Sequence, residues 1–305
     1  MRPDRRHQEQ PLFMAAGCVG QSPPITIERN DVMNKALVSV EQLEHKLGAP
    51  DWLIIDCRFS LADASAGYAN YLEAHIPGAV YAHLDRDLSG RSVTDTGRHP
   101  LPAAAHLCER FSALGVSNDS HVVAYDDAGG MVAARLWWML RYMGHEDVAV
   151  LDGGWPAWAA AAMAVETNVS RPTRGKFTGT ARGDRLVRYD AVPHAGVLVD
   201  AREPARYRGE SEPIDPVAGH IPDARNHFWQ SNLDEVGKFL SPTELRDQFS
   251  STLGMLPDSE TVHYCGSGVS ACHNILAQVV AGLPEPRLYC GSWSEWCQKP
   301  GTPVG

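Results

Sequence analysis

The chain carries its short motifs twice, and this duplication constrains its architecture more than any other feature. The apolar run Trp52–Asp56, ending in Asp56-Cys57-Arg58, returns as Val197–Asp200 followed by Ala201-Arg202. His75-Ile76-Pro77-Gly78-Ala79 returns as His220-Ile221-Pro222-Asp223-Ala224. Val122–Asp126 is echoed by Thr261–Cys265, and Asp152-Gly153-Gly154-Trp155-Pro156-Ala157-Trp158 by Cys290-Gly291-Ser292-Trp293-Ser294-Glu295-Trp296. Four matches in one order, each offset by about 140 positions, mark a duplicated domain rather than chance.

Each copy alternates short apolar runs with amphipathic stretches. The runs predict strands at 52–56, 121–125 and 148–151, then at 196–200, 260–264 and 287–289. Helical spacing predicts helices over 103–113, 131–143, 242–250 and 270–281; in the last, Ala271, Ile275 and Val279 share a face. Strands joined through helices imply an α/β fold, with a mainly parallel sheet covered by helices on both faces in each copy. The expected organisation is a leader over 1–34, a first domain over 35–165, a polar, Arg- and Gly-containing linker over 166–185 and a second domain over 186–300. Residues 1–34 read as disordered, or as preceding a start at Met33. Ala15-Ala16-Gly17-Cys18 looks like a lipoprotein cleavage site, but Asp4, Glu9 and the brief apolar stretch Leu12–Gly20 argue against one.

A formal net charge of −10 repels phosphate backbones and anionic lipid surfaces, so neither nucleic acid nor membrane is an expected partner. The seven cysteines show neither framework spacing nor a Cys-x-x-Cys pair. That argues against a disulfide scaffold and a zinc knuckle, and leaves a reducing cytoplasm as the expected compartment, with no metal and no cofactor.

Cys265-Gly266-Ser267-Gly268-Val269-Ser270-Ala271 joins a predicted strand to a predicted helix. Its glycines let the backbone curl, and a helix start adds unpaired N–H groups and partial positive charge. Together they form an anion cradle that lowers a thiol pKa and stabilises a persulfide. The other cysteines read as small buried hydrophobes. Asp126 stands where the second copy has Cys265, and a carboxylate is no sulfur nucleophile. One domain is therefore expected to work and the other to wall the cleft.

These motifs resemble the tandem-domain rhodanese superfamily over roughly residues 36–299. The loop is most similar to that of its 3-mercaptopyruvate sulfurtransferases, and it lacks the basic residues that thiosulfate sulfurtransferases more often carry at the positions of Gly266 and Ser267. The resemblance implies Cys265 as nucleophile, the loop from Gly266 to Ala271 as the cradle, and Arg206 as the grip on the donor's anionic end. It implies Ser267 as proton relay and His75 as its helper from the first domain. Ser267 could equally serve the turn, Arg206 the surface, and His75, duplicated as His220, a structural anchor. A second family arginine is expected nine positions after Arg206, where this chain has Asp215, so a carboxylate contact is missing from the pattern.

The expected reaction moves sulfur from a small anionic donor, 3-mercaptopyruvate or thiosulfate, through Cys265 to a thiol, cyanide or protein-thiol acceptor. A Cys-based phosphatase would need an arginine where Ala271 stands. A non-enzymatic persulfide relay to a partner protein is the alternative from another class.

Overall fold

The computed structural model describes residue 1 and residues 36–93, 96–255 and 257–305. The leader expected over 1–34 and Cys18 otherwise lie outside the described residues. Two five-stranded sheets follow one another along the chain. The first contains β1 (Leu37–Val38), β2 (Trp52–Asp56), β3 (Val80–Tyr81), β4 (His121–Tyr125) and β5 (Val148–Leu151), in the order β1-β5-β4-β2-β3. The second contains β6 (Leu186–Val187), β7 (Leu198–Asp200), β8 (Arg225–Asn226), β9 (Val262–Tyr264) and β10 (Arg287–Tyr289), in the same order, β6-β10-β9-β7-β8. Every ladder is parallel. Parallel neighbours require crossovers, and helices on both faces supply them.

In the first copy these helices are α1 (Val40–Glu44), α2 (Ala66–Glu73), α3 (Ala104–Ala113), α4 (Ala133–Tyr142) and α5 (Gly154–Ala160). In the second they are α6 (Pro204–Tyr207), α7 (Pro242–Leu253), α8 (Ser270–Val280) and α9 (Ser292–Trp296). The start of α7 follows from local sequence: Ser241 accepts from the Glu244 N–H, Glu244 accepts from the Ser241 N–H, and Pro242 occupies the first turn. The central strands fall where the apolar runs predict them, although β7 and β9 begin two residues late, at Leu198 and Val262. The four strands absent from the expectation are the two-residue edges β1, β3, β6 and β8, too short to show any alternation.

The duplicated motifs build the same device twice. Asp56 and Arg58 form a buried ion pair at 2.7 Å, and the guanidinium lies 4.5 Å from the ring centre of Trp155. Asp200 and Arg202 pair at 2.7 Å with Trp293 at 4.9 Å. A buried arginine needs its charge and its donors met, and this arrangement meets them while tying strand to helix.

The two copies share a core. Helices α4 and α8 pack on one another, and one apolar cluster runs from Val132–Leu140 into Val269–Ala277. The segment predicted as a linker is strapped to the first copy: Phe177 is buried edge-on against Phe111, and the N–H groups of Gly175 and Phe177 bond to Ser112. Such packing fixes the cleft between the copies, where the loop after β9 opens.

Candidate active site

Cys265 follows β9 directly, and its loop runs into α8. The thiol is 2% exposed, lies at the foot of a cleft of about 410 Å³, and accepts a hydrogen bond from the Gly268 N–H at 3.1 Å. Gly268 has φ +77°, and a Cβ there would sit 2.4 Å from the Cys290 carbonyl oxygen, so only glycine fits. The returning motif braces the loop from behind. The Trp293 and Ser294 N–H groups donate to the carbonyls of Cys265 and Gly266, each at 2.9 Å, and Ser292 Oγ accepts from the Cys265 N–H at 3.1 Å. Gly266, Ser267, Val269 and Ser270 line the cleft, whereas Ala271 is wholly buried and does not.

The first copy shows what such a loop does with a resident anion. The wholly buried Asp126 carboxylate accepts four backbone N–H bonds at 2.7–2.8 Å, from Ala128, Gly130, Val132 and Ala133. In sequence, Ser267, Val269, Ala271 and Cys272 match those four residues; in the structure the Gly268 N–H bonds to Cys265 Sγ, and the Cys272 N–H bonds to the Val269 carbonyl at 3.0 Å. The first loop is thus filled by its own side chain, and the second presents a thiol in its place.

Ser267 Oγ lies 2.7 Å from His99 Nδ1, and His99 Nε2 lies 3.2 Å from Asp85. Asp85 can only accept, which puts the ring hydrogen on Nε2 and leaves Nδ1 to accept from the Ser267 hydroxyl. Burial, reinforced by the nearby Arg135 and Arg98 guanidinium groups, pushes the His99 pKa down to about 4 against the opposing pull of Asp85. His99 is therefore neutral at pH 7, able to take a proton and return it.

His75 is not brought to this cleft. It is wholly buried, stacks on Tyr71 with ring centres 4.0 Å apart, and bonds through Nδ1 to the Tyr71 carbonyl at 2.6 Å. His220 does the same with Tyr207, at 3.9 Å and 2.8 Å. Both anchor the turn before Ile-Pro, and the first-domain imidazole that reaches Ser267 is His99 instead.

Arg206 lines the cleft, held by Glu212 at 2.7 Å and by Asp215 at 3.3 Å. Arg98, from the first copy, pairs with the other oxygen of Asp215. A Cβ on Gly266 would meet Arg98 Nη2 at 2.8 Å and the Arg206 Nη atoms at 3.6 Å, so both guanidinium groups converge over the residue after the nucleophile. Asp215, where the family pattern has its second arginine, thus orients an arginine that arrives from the other domain. Sequence reasoning missed Asp85, Arg98 and His99. Their signal was a contrast between the copies: Gly97-Arg98-His99 stands 140 positions before Gly237-Lys238-Phe239, so the first copy has an imidazole where the second has a phenyl ring. Among the described residues, no cluster of three or more His, Cys, Asp or Glu side chains could hold a metal ion, and no helix is long and apolar enough to cross a membrane.

A parallel α/β unit made twice, with one strand-to-helix loop carrying a cysteine, is the architecture of a protein class that comparison identifies directly. The model of the rhodanese-like domain matches residues 39–161 and again 187–299, and the chain belongs to the rhodanese family. It is 48% identical over 279 residues to a probable 3-mercaptopyruvate sulfurtransferase of Pseudomonas aeruginosa, covering 88% of this chain and 97% of that one. It is 40% identical over 278 residues to a putative thiosulfate sulfurtransferase of Mycobacterium tuberculosis, covering 89% and 97%. Among solved structures it resembles the 3-mercaptopyruvate sulfurtransferase from Leishmania major, with a TM-score of 0.76 and 34% identity over 86% of this chain and 74% of that one. The protein is a sulfurtransferase of the rhodanese fold.

Proposed function

We propose that this enzyme takes sulfur from 3-mercaptopyruvate onto Cys265 and passes it to a thiol, cyanide or protein-thiol acceptor. The observation that carries the choice of donor is the Ser267–His99–Asp85 relay beside the thiol. Pyruvate leaves the mercaptopyruvate sulfur as an enolate that needs a proton, whereas the sulfite released from thiosulfate needs none. A proton relay at the nucleophile suits the first donor.

In this scheme the donor carboxylate lies against Arg98 and Arg206, whose paired forks suit two oxygens. The Cys265 thiolate attacks the donor sulfur, and the sulfur–carbon bond breaks with its electron pair moving into the pyruvate enolate. The donor's thiol proton passes through Ser267 to His99 and returns to the enolate, giving pyruvate and a Cys265 persulfide anion. The loop amides hold that anion, led by the Gly268 N–H that already meets Cys265 Sγ. An acceptor nucleophile then removes the outer sulfur and restores the thiolate. Two half-reactions sharing a covalent intermediate give ping-pong kinetics.

The convergence of two guanidinium groups would also serve a dianion, which keeps thiosulfate as the second reading. Pyruvate release from mercaptopyruvate and thiocyanate formation from thiosulfate with cyanide, measured on one preparation, separate the two. The proposal expects kcat/KM for mercaptopyruvate to exceed that for thiosulfate, and the reverse order overturns it.

A further inference from the structure

Arg135 is a wholly buried cation that the sulfur-transfer scheme leaves unused. It sits on α4 of the first copy, yet its guanidinium reaches under the loop of the second. Nη1 donates to the Gly268 carbonyl at 3.0 Å and to Cys290 Sγ at 3.3 Å, and Nη2 donates to the His99 carbonyl at 3.2 Å. Nε is buried without a partner. The other group facing it is the Cys272 thiol, whose pKa burial pushes up to about 12, so it stays uncharged at neutral pH. Among the described residues no carboxylate pairs with Arg135.

Proteins rarely bury a cation without an anion, because desolvation is repaid only by a partner. Here the partners are carbonyls and thiols, and the positive charge is left for an anion formed nearby. We propose that Arg135 is a positioning residue for sulfur transfer: it fixes His99 and the Gly268 turn against each other across the domain boundary, and supplies the buried positive charge that favours anionic sulfur on Cys265. This inference rests on the sulfur-transfer reading above.

The geometry supports both halves. Gly268 is the residue whose N–H meets Cys265 Sγ, and His99 is the residue whose ring meets Ser267 Oγ. One planar fork therefore holds the backbone of each partner in the chemistry. Its charge also helps to keep His99 unprotonated. The remaining charged and titratable groups here are Asp85 and Arg98 from the first copy, and Arg206, Cys272 and Cys290 from the second. All are the same in the variants below.

The test is the pH dependence of kcat/KM for the donor in wild type, Arg135→Met and Arg135→Lys, with the pH dependence of Cys265 alkylation measured in parallel. Removing the cation disfavours thiolate and favours imidazolium, so in Arg135→Met the acid limb and the alkylation midpoint both move up by about one pH unit. Arg135→Lys keeps the charge and loses the fork, so its plateau falls while its profile stays at the wild-type pH. Arg135→Gln, which retains polar contact with the carbonyls, carries the same expectation as Arg135→Met should that variant not fold. A neutral variant whose profile superimposes on wild type after scaling, or a Lys variant shifted as far as the neutral ones, overturns the proposal. Donor-dependent persulfide on wild-type Cys265 is recorded in the same preparations. Its absence would sink the transfer reading itself, whereas a loaded wild type beside an unshifted neutral variant sinks only the role of Arg135.

Discussion

Replacing Asp126 with Asn probes the amide ring without touching the nucleophile. The carboxylate oxygens each accept two N–H bonds, Oδ1 from Ala128 and Gly130 and Oδ2 from Val132 and Ala133. Asparagine has the same shape but one acceptor oxygen, and its NH2 must face two N–H donors wherever it turns. Two charge-assisted bonds are lost, at roughly 1.5–3 kcal/mol each, so the loss is about 3–6 kcal/mol. Burial works against the ionised carboxyl and raises its pKa, which places the expectation toward the lower end of that range. Differential scanning calorimetry should show melting lowered by roughly 5–12 °C. Asp127→Asn, at an exposed neighbouring position, should change stability by less than about 1 kcal/mol. If Asp126→Asn melts like the Asp127 variant, the ring does not grip an anion, and the parallel drawn with Cys265 fails.

Other outcomes follow from the same geometry. His99→Ala should lower pyruvate release by about 10²–10⁴-fold and affect thiosulfate-to-cyanide transfer far less; equal losses with both donors would contradict the relay. Arg206→Ala and Arg98→Ala should each raise KM for mercaptopyruvate by about ten- to a hundredfold, from the loss of one charge-assisted contact, and an unchanged KM would remove that arginine from the donor site. Stability should fall with acid. Burial holds His263 and His273 at pKa values of about 3 and lowers His227, so the unfolded chain binds more protons below about pH 6.5. Each contributes a loss of up to about 1.4 kcal/mol per pH unit between there and its folded pKa, and urea midpoints that stay flat from pH 7 to pH 5 would refute it.

Much of this molecule was legible in its sequence because the duplication offered an internal alignment. Paired Asp-x-Arg and Gly-x-Trp motifs located the strands, and the contrast of Asp126 with Cys265 distinguished the two loops. Comparison of the copies also held a warning about His75, since His220 repeats it and both turn out to stack on a tyrosine. What stayed hidden depends on packing between the copies. His99, Arg98 and Arg135 reach the loop that carries Cys265 only because α4 and α8 share one core, and the separations involved, such as 168 positions between His99 and Ser267, leave no periodic trace. Edge strands of two residues were missed for a simpler reason: they are shorter than any pattern that could announce them.

The central claim is that one thiol, that of Cys265, receives the sulfur. Intact-mass measurement after exposure to 3-mercaptopyruvate, followed by peptide mapping, tests it most directly. The account predicts a gain of one sulfur atom located on Cys265, discharged by cyanide and absent in Cys265→Ser. Sulfur on any other cysteine, or undiminished transfer by Cys265→Ser, would contradict it.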